Sequence, residues 1–377
     1  MAGNKNLNSA ARAKKDKFYT QLEDIENELW HYRDFFIGKT VLCNCDDPFE
    51  SNFFKYFAAK FNDLELKKLV TVSYIGSPIA GGEVPLGETD KFAYMTEVTE
   101  LKDWNGDGRE SLDDVEYAIR HNIYNVRKLI GTGDFRSSES VAALREADVV
   151  VTNPPFSVFR EYVAQLIEYD KKFVILGNKN ALTYKEIFPL IMQNKLWVGF
   201  MPMSREIYFD VPQSYIDEGL DAGKDRSIVI HDGRHMARSQ SIWFTNFDIS
   251  KFREDIPLYK KYSPDLYPRY DNYDAIEVGK TAEIPEDYFG VMGVPITFLD
   301  KYNPAQFEII GMAKRGAGDP ALKTKVYTAA DYPNYSDLNA GPVLIVNGKP
   351  KNTYPRILIR RRQHDDKRNG THFATTA

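Results

Sequence analysis

Asn153-Pro154-Pro155-Phe156 holds the residue types needed to handle a flat, weakly nucleophilic amine. Proline lacks a backbone N–H and fixes its own φ, and it pushes the residue before it towards extended geometry. Two prolines in a row therefore make a stiff loop whose carbonyls point outwards. The Asn153 side-chain oxygen and the Pro154 carbonyl become two fixed acceptors, matched to the two N–H donors of an exocyclic amino group. Held out of the ring plane, those acceptors favour a more tetrahedral nitrogen with its lone pair aimed at an incoming methyl group. Phe156 offers a flat face on which a base can stack. Catalysis of this kind works by positioning and electrostatics and needs no strong general base. The competing reading is an ordinary turn, since Asn-Pro commonly opens one.

Other stretches could hold a small ligand beside that loop. Asp46-Asp47 follow the apolar run Thr40–Cys45, where a carboxylate can take an ammonium or hydroxyls. The glycine-rich turn of a pyrophosphate site is absent, which fits a cofactor without phosphates. Tyr19-Thr20 precede a helical stripe of Leu22, Ile25, Leu29 and Tyr32. They read either as a clasp for a ligand's polar end or as a helix start with Thr20 as its cap. Asp134-Phe135 can accept from an adenine amino group and cover its ring, or form a loop with one buried aromatic. Asp103, Asn105, Asp107, Ser111 and Asp114 occupy positions 1, 3, 5, 9 and 12 of a twelve-residue loop with Gly108 at 6, the spacing of an EF-hand-type Ca2+ loop. The last ligand is Asp rather than Glu, and any Ca2+ there is expected to be structural.

The elements that must position these groups follow from periodicity. Asp148–Thr152 is a short apolar run, then Phe159, Tyr162, Val163, Leu166 and Ile167 recur at helical spacing, then Phe173–Gly177 is apolar again. Strand, crossover helix, strand implies two parallel strands, with the tetrapeptide at the carboxyl end of the first. Thr40–Cys45 and Leu69–Tyr74 read as further strands. The expected fold class is α/β: a doubly wound, mostly parallel Rossmann-like sheet with a smaller β-rich C-terminal domain. The expected division is a disordered basic tail at 1–15, a catalytic domain at 16–250 with an insertion at 76–130, and a second domain at 251–377. In the last, Val343–Val346, Asn347-Gly348 and Tyr354–Arg360 read as a hairpin, with Arg356, Arg360 and Arg361 suited to phosphate contacts.

At 377 residues with net charge −5, the chain can bury two cores and has no indiscriminate avidity for polyanions. Cys43 and Cys45, its two cysteines, fit reduced thiols in a cytoplasmic protein. No apolar run approaches membrane length, so no membrane partner is expected.

Several long stretches together resemble the EcoRI-type adenine-specific DNA methyltransferases: Asp16–Gln21 through Tyr32, Cys43–Pro48 with Ser51–Phe57, Gly133–Ser140, Val149–Tyr162, Asp271–Ile276 and Gly290–Leu299. The resemblance covers most of the chain. It implies S-adenosylmethionine as methyl donor and N6 of adenine in double-stranded DNA as acceptor, with the base flipped out of the duplex. It places Asn153, Pro154, Pro155 and Phe156 on the target amine. It places Tyr19, Thr20, Asn44, Asp46, Asp47, Tyr74, Asp134, Phe135 and Asn153 around the cofactor, and makes residues 251–377 the target-recognition domain. A restriction-modification or phage-protection role follows, beside a cognate endonuclease but without a stable complex. The chain departs from the usual pattern in having Asp-Asp-Pro where glycines follow the first strand, and Tyr74 where an acid usually ends the second. Two other readings stand beside this one: a methyltransferase acting on RNA bases or protein glutamine, and a non-catalytic DNA-binding protein of the same fold.

Overall fold

Runs of β-branched and apolar residues form the buried centre of the first unit. Thr40-Val41-Leu42-Cys43 and Val149-Val150-Val151-Thr152 are strands buried at every position, the pattern of strands covered on both faces. The structure is a computed structural model that describes residues 19–75, 91–211, 216–217, 228–315 and 322–363; the tail expected at 1–15 lies outside them. The chain divides into two units, Met1–Ile249 and Ser250–Ala377.

In chain order the strands of the first unit are β1 (Tyr19–Thr20), β2 (Thr40–Cys43), β3 (Lys68–Val72), β4 (Tyr94–Val98), β5 (Asn125–Lys128), β6 (Val149–Thr152), β7 (Lys172–Asn178), β8 (Trp197–Val198), β9 (Ile207–Asp210), β10 (Ile228–His231), β11 (Arg234–Ser239) and β12 (Ser241–Thr245). Eight of them make one sheet in the order β5-β4-β3-β2-β6-β7-β12-β8. β3, β2, β6 and β7 run parallel. β4 and β5 on one side, and β12 and β8 on the other, are added through antiparallel pairings. The sheet is therefore mixed, with β4 and β12 alone running against the other six strands. The segment 76–130 contributes β4 and β5 to this sheet. Alternation was hard to see there because Tyr94–Val98 is buried at nearly every position. A separate small sheet has the order β1-β9-β11-β10.

Two crossover units share the centre. β2 leads through the helix Asn52–Ala59 to β3, and β6 leads through Phe159–Glu168 to β7. One proceeds outwards to one side and the other to the opposite side, so the strand order reverses between β2 and β6. In open α/β sheets the crevice at such a reversal, at the carboxyl ends of the strands, is where ligands bind. Asp148 pins the two strands at their starts: its carboxylate accepts Thr40 N at 2.8 Å, and its own N–H donates to Thr40 O at 3.0 Å. Among the described residues no helix is long and apolar enough to cross a membrane.

The second unit carries β13 (Ile276–Glu277), β14 (Met292–Val294), β15 (Phe307–Ala313), β16 (Val343–Val346), β17 (Lys349–Asn352) and β18 (Arg356–Arg361). Four form a sheet, β13-β14-β18-β15; β16 and β17 form a separate ribbon. The expected hairpin is thus shorter than read. β16 turns through Asn347-Gly348 into β17, while residues from Arg356 onwards join the other sheet. Arg356 also departs from expectation. Its guanidinium pairs with Glu277 at 2.6 Å, with both side chains largely buried, so it holds the sheet rather than facing phosphate.

Candidate functional site

The reversal point brings together the loop after β2 and the loop after β6. Asn44, Asp46 and Asp47 are all buried. Ser51 caps the helix that follows, its hydroxyl accepting Phe53 N at 3.1 Å and Phe54 N at 3.4 Å. The same hydroxyl donates to Asp46 Oδ1 at 2.6 Å. The other Asp46 oxygen accepts from Thr152 Oγ1, on the residue directly before Asn153. One buried carboxylate therefore ties the loop after β2 to the start of the tetrapeptide. Burial pushes its pKa up to about 6, against the two hydroxyl donors that pull it down, with Asp47 adding to the rise. Asp47 is anchored separately, by Tyr94 Oη at 2.8 Å and by Phe49 N at 3.0 Å.

The tetrapeptide leaves β6 with Asn153 half-buried, Pro154 buried, and Pro155 and Phe156 half-buried. Pro155 O accepts Val158 N at 3.1 Å and starts the short 3-10 turn Phe156–Val158. The Asn153 side-chain oxygen is buried without a hydrogen-bond partner. An unpaired buried acceptor costs about 1–3 kcal/mol, a cost that a donor from a bound ligand would offset.

Two more orphans belong to residues singled out from sequence. Asn44 Nδ2 is buried and unpartnered, while its Oδ1 accepts from Tyr162 Oη, on the helix after the tetrapeptide. Thr20 Oγ1 is buried and unpartnered too. Thr20 does not cap the following helix: Gln21 holds the N-cap position, and no side chain caps it. Of the two readings of Thr20, the structure removes the capping one. Asn52 Nδ2 donates to Thr20 O at 2.7 Å and fastens β1 to the helix after β2. The Tyr19 side chain lies outside the described residues.

Phe135 is buried and meets Tyr162 edge-on, with ring centroids 5.0 Å apart. Its loop is set by Gly133, whose φ is +76° and whose missing Cβ would stand 2.0 Å from Ser73 O. Ile75 N donates to Thr132 O at 3.0 Å, so this loop is sewn to the end of β3. Asp134 is half-buried and held by Arg136 through two side-chain contacts of 2.9 and 2.8 Å. The guanidinium keeps this carboxyl below the usual carboxylate range. Arg136 also reaches Glu161 at 2.7 Å, on the helix after the tetrapeptide. Tyr74, past the end of β3, is half exposed. Cys43 is buried and Cys45 partly so; both are free, and burial pushes both thiols up.

Tyr162 thus links Asn44 to Phe135, and Asp46 links Ser51 to Thr152, the chain neighbour of Asn153. Tyr162, Thr152 and Ser51 were not singled out from sequence as site residues. Tyr162 sat within an apolar stripe, where its hydroxyl was the available signal. Arg136 was missed as a partner of Asp134 two residues away. Glu28 was missed as well: fully buried, it accepts Phe200 N at 2.6 Å, Met201 N at 2.7 Å and Tyr32 Oη at 2.7 Å. Its position between Ile25 and Tyr32 in a helical stripe marks a polar group facing inwards.

Asp103, Asp107 and Asp114 bring carboxylate oxygens within 4.8 Å of one another, away from this cluster in the chain. The loop closes on its own backbone. Asp103 accepts Gly106, Asp107 and Gly108 N–H groups at 2.7–3.0 Å. Asp114, fully buried, accepts Trp104 and Asn105 N–H at 2.7 and 3.0 Å and forms a capping box with Ser111. Those donors hold the Asp114 carboxyl low despite its burial. Asn105 accepts Asp107 N at 2.9 Å.

The donor set suits a zwitterionic nucleoside. An unpaired amide N–H₂, an unpaired hydroxyl and an unpaired amide oxygen offer both polarities that a carboxylate, an ammonium and an exocyclic amine require. Residues 6–362 match the family described as adenine-specific methyltransferase EcoRI. The chain is 47% identical over 316 residues to the type II methyltransferase M.EcoRI of Escherichia coli, covering 83% of this chain and 90% of that protein. It is 36% identical over 361 residues to the type II methyltransferase M.MgeORF184P of Mycoplasma genitalium, covering 95% and 99%. It is 35% identical over 362 residues to the type II methyltransferase M.MpnI of Mycoplasma pneumoniae, covering 95% and 98%. No solved structure matches.

Proposed function

The chain belongs to the adenine-specific methyltransferase EcoRI family, and from that premise we propose that it methylates N6 of adenine within a short duplex DNA site. The observation that carries the reading for this site is the unpaired, buried Asn153 oxygen on a proline-stiffened loop at the reversal of strand order. The protein is a DNA methyltransferase of the restriction-modification type, as its family and relatives are.

The family implies S-adenosylmethionine as donor, and the orphaned Thr20 Oγ1 and Asn44 Nδ2 fit it. When bound, it supplies an electrophilic methyl group on a sulfonium. Thr20, Asn44 and the Asp47 loop would hold its polar groups, and Phe135 would cover its ring. Asn153 and the Pro154 carbonyl accept the two N–H bonds of the adenine amine, drawing its lone pair out of conjugation. Phe156 stacks on the extruded base, repaying part of the unstacking cost of a few kcal/mol. Asp46 acts through Thr152, keeping Asn153 in register with the donor loop. Asp134, with both oxygens on Arg136, must share its carboxylate with that guanidinium to accept from an adenine. The second unit, Ser250–Ala377, is assigned to finding the DNA site, with cytoplasmic location and a separately acting endonuclease as companions of that role.

Labelled donor offered with duplex DNA, ribosomal RNA and protein side by side tests the acceptor. N6-methyladenine in the DNA digest is the expected product; label in RNA or in glutamine side chains overturns the reading, and failure to bind donor in calorimetry favours a non-catalytic DNA-binding protein. For the loop Asp103–Asp114 we propose a structural role with Ca2+ as the ion its spacing takes. Excess CaCl₂ against chelator should raise the melting point of the wild type but not of Asp103→Asn. Equal melting points in both media leave the loop closed by its own hydrogen bonds.

A further inference from the structure

The second unit carries a ribbon whose base and tip differ in character. Among the described residues β16 and β17 pair only with each other. Asn347 and Gly348 both have positive φ, 51° and 74°, as a two-residue hairpin turn of the strand-matching hand requires. The base is anchored on both faces. Leu344 packs on the cluster of Tyr270, Tyr273, Ala275 and Leu358, and Val343 packs with Tyr327 and Leu338. Asn272, fully buried, accepts Val343 N at 2.8 Å and donates to Gly341 O at 3.0 Å.

Past that anchor the ribbon turns outwards. Ile345 is 50% exposed and Val346 45% exposed. Lys349 and Lys351 are exposed and lie across from Val346 and Leu344 on one face of the ribbon. Pro350, across from Ile345, has no N–H to offer a neighbouring strand, so the ribbon is poorly made for extending a sheet into a second copy. An anchored base, two cations on the Val346 face and a narrow apolar tip with Ile345 on the opposite face suit a polyanion whose stacked bases are apolar.

We propose that the β16–β17 ribbon is a duplex-DNA probe: Lys349 and Lys351 sit on phosphates, and Ile345 and Val346 enter a groove against the base edges. Wedges of this kind unstack a base step and bend the duplex, a cost repaid by the added contact. This rests on DNA being the acceptor, as proposed above, and it assigns the probing to one element of the second unit.

The test compares full-length wild type with Lys349→Gln/Lys351→Gln and with Ile345→Ser/Val346→Ser, measuring DNA affinity against salt. Losing two phosphate contacts should lower the slope of log K on log salt by about 1.8 and weaken target and non-target duplexes alike. The tip variant should keep the slope, lose on the order of tenfold in preference for target DNA, and lose the fluorescence rise of a 2-aminopurine placed at the target step. Donor affinity, read by calorimetry, should match wild type in both and so certify folding. Wild-type slope and wild-type target preference in both variants overturn the proposal, as does a tip variant whose one change is a smaller sedimenting mass, which would make the ribbon a contact between copies. The binding assay needs no methyl transfer. A wild type that binds DNA through the ribbon yet leaves it unmethylated refutes the reaction and not the probe.

Discussion

Asn153→Ala separates a catalytic acceptor from a turn-forming residue, because the two roles give stability changes of opposite sign. In the folded chain the Asn153 oxygen is buried with nothing donating to it. Removing such a group relieves a desolvation cost of about 1–3 kcal/mol for full burial, and less here because the residue is half-buried. The variant should therefore be as stable as wild type, or more stable by up to about 1 kcal/mol. In the reaction, the same oxygen faces a nitrogen gaining positive charge. Loss of one preorganised hydrogen-bonding partner at a transition state costs about 2.7–4 kcal/mol, or ~100–1000-fold in rate. Urea unfolding gives the first quantity. Single-turnover transfer at saturating donor and DNA gives the second. A variant that unfolds more readily by over ~1 kcal/mol while its transfer rate holds would return the tetrapeptide to an ordinary turn.

Three further outcomes follow. Phe156→Ala should lose about 1–3 kcal/mol of base stacking, seen as a ~5–150-fold fall in kcat/KM on duplex DNA with Phe156→Trp close to wild type; an unchanged kcat/KM removes the stacking role. Gly133→Ala must either leave the left-handed region or drive a Cβ into Ser73 O, so unfolding free energy should drop by about 2 kcal/mol or more, or donor affinity should fall as the Asp134-Phe135 loop shifts; wild-type values for both would show the loop is not so constrained. Asp46 titrates near 6 in the folded chain against an ordinary value of 3.8, so the folded state binds the extra proton between those values. Stability should then fall as pH rises through that window and level off above it, by at most about 3 kcal/mol. Asp46→Asn should lack that slope in urea unfolding from pH 4.5 to 7.5, and parallel curves for the two proteins would rule the carboxylate out as its source.

The four parallel strands were legible because each is a short apolar run, and the tetrapeptide's place followed from the run before it and the helical stripe behind it. Strands β4 and β5 were not, since Asn125–Lys128 is mostly exposed and its neighbours are rich in glycine and charge. The hairpin was misjudged in extent for a physical reason. β17 reads Lys349-Pro350-Lys351-Asn352, a composition that strands avoid and that an isolated ribbon tolerates. At the site, residue types pointed to Asn44, Asp46 and Asn153, but no spacing rule could pair Thr152 with Asp46 or Tyr162 with Asn44, since those partners lie more than a hundred residues apart. Arg356 carried the opposite lesson. Its charge was visible, whereas its burial against Glu277 depends on which sheet β18 joins.

The antiparallel strand β12 has a bearing on how the protein is made. Val174–Asn178 of β7 is completed by Ser241–Thr245, which leaves the ribosome only after the whole 179–240 excursion. Until then a nascent chain already carrying both halves of the crevice holds a bare, apolar strand margin, an invitation to stick to its neighbours. A message cut short before codon 241 should thus yield aggregates rather than a smaller working enzyme, and slowing translation across that excursion should lengthen the chain's dependence on chaperones.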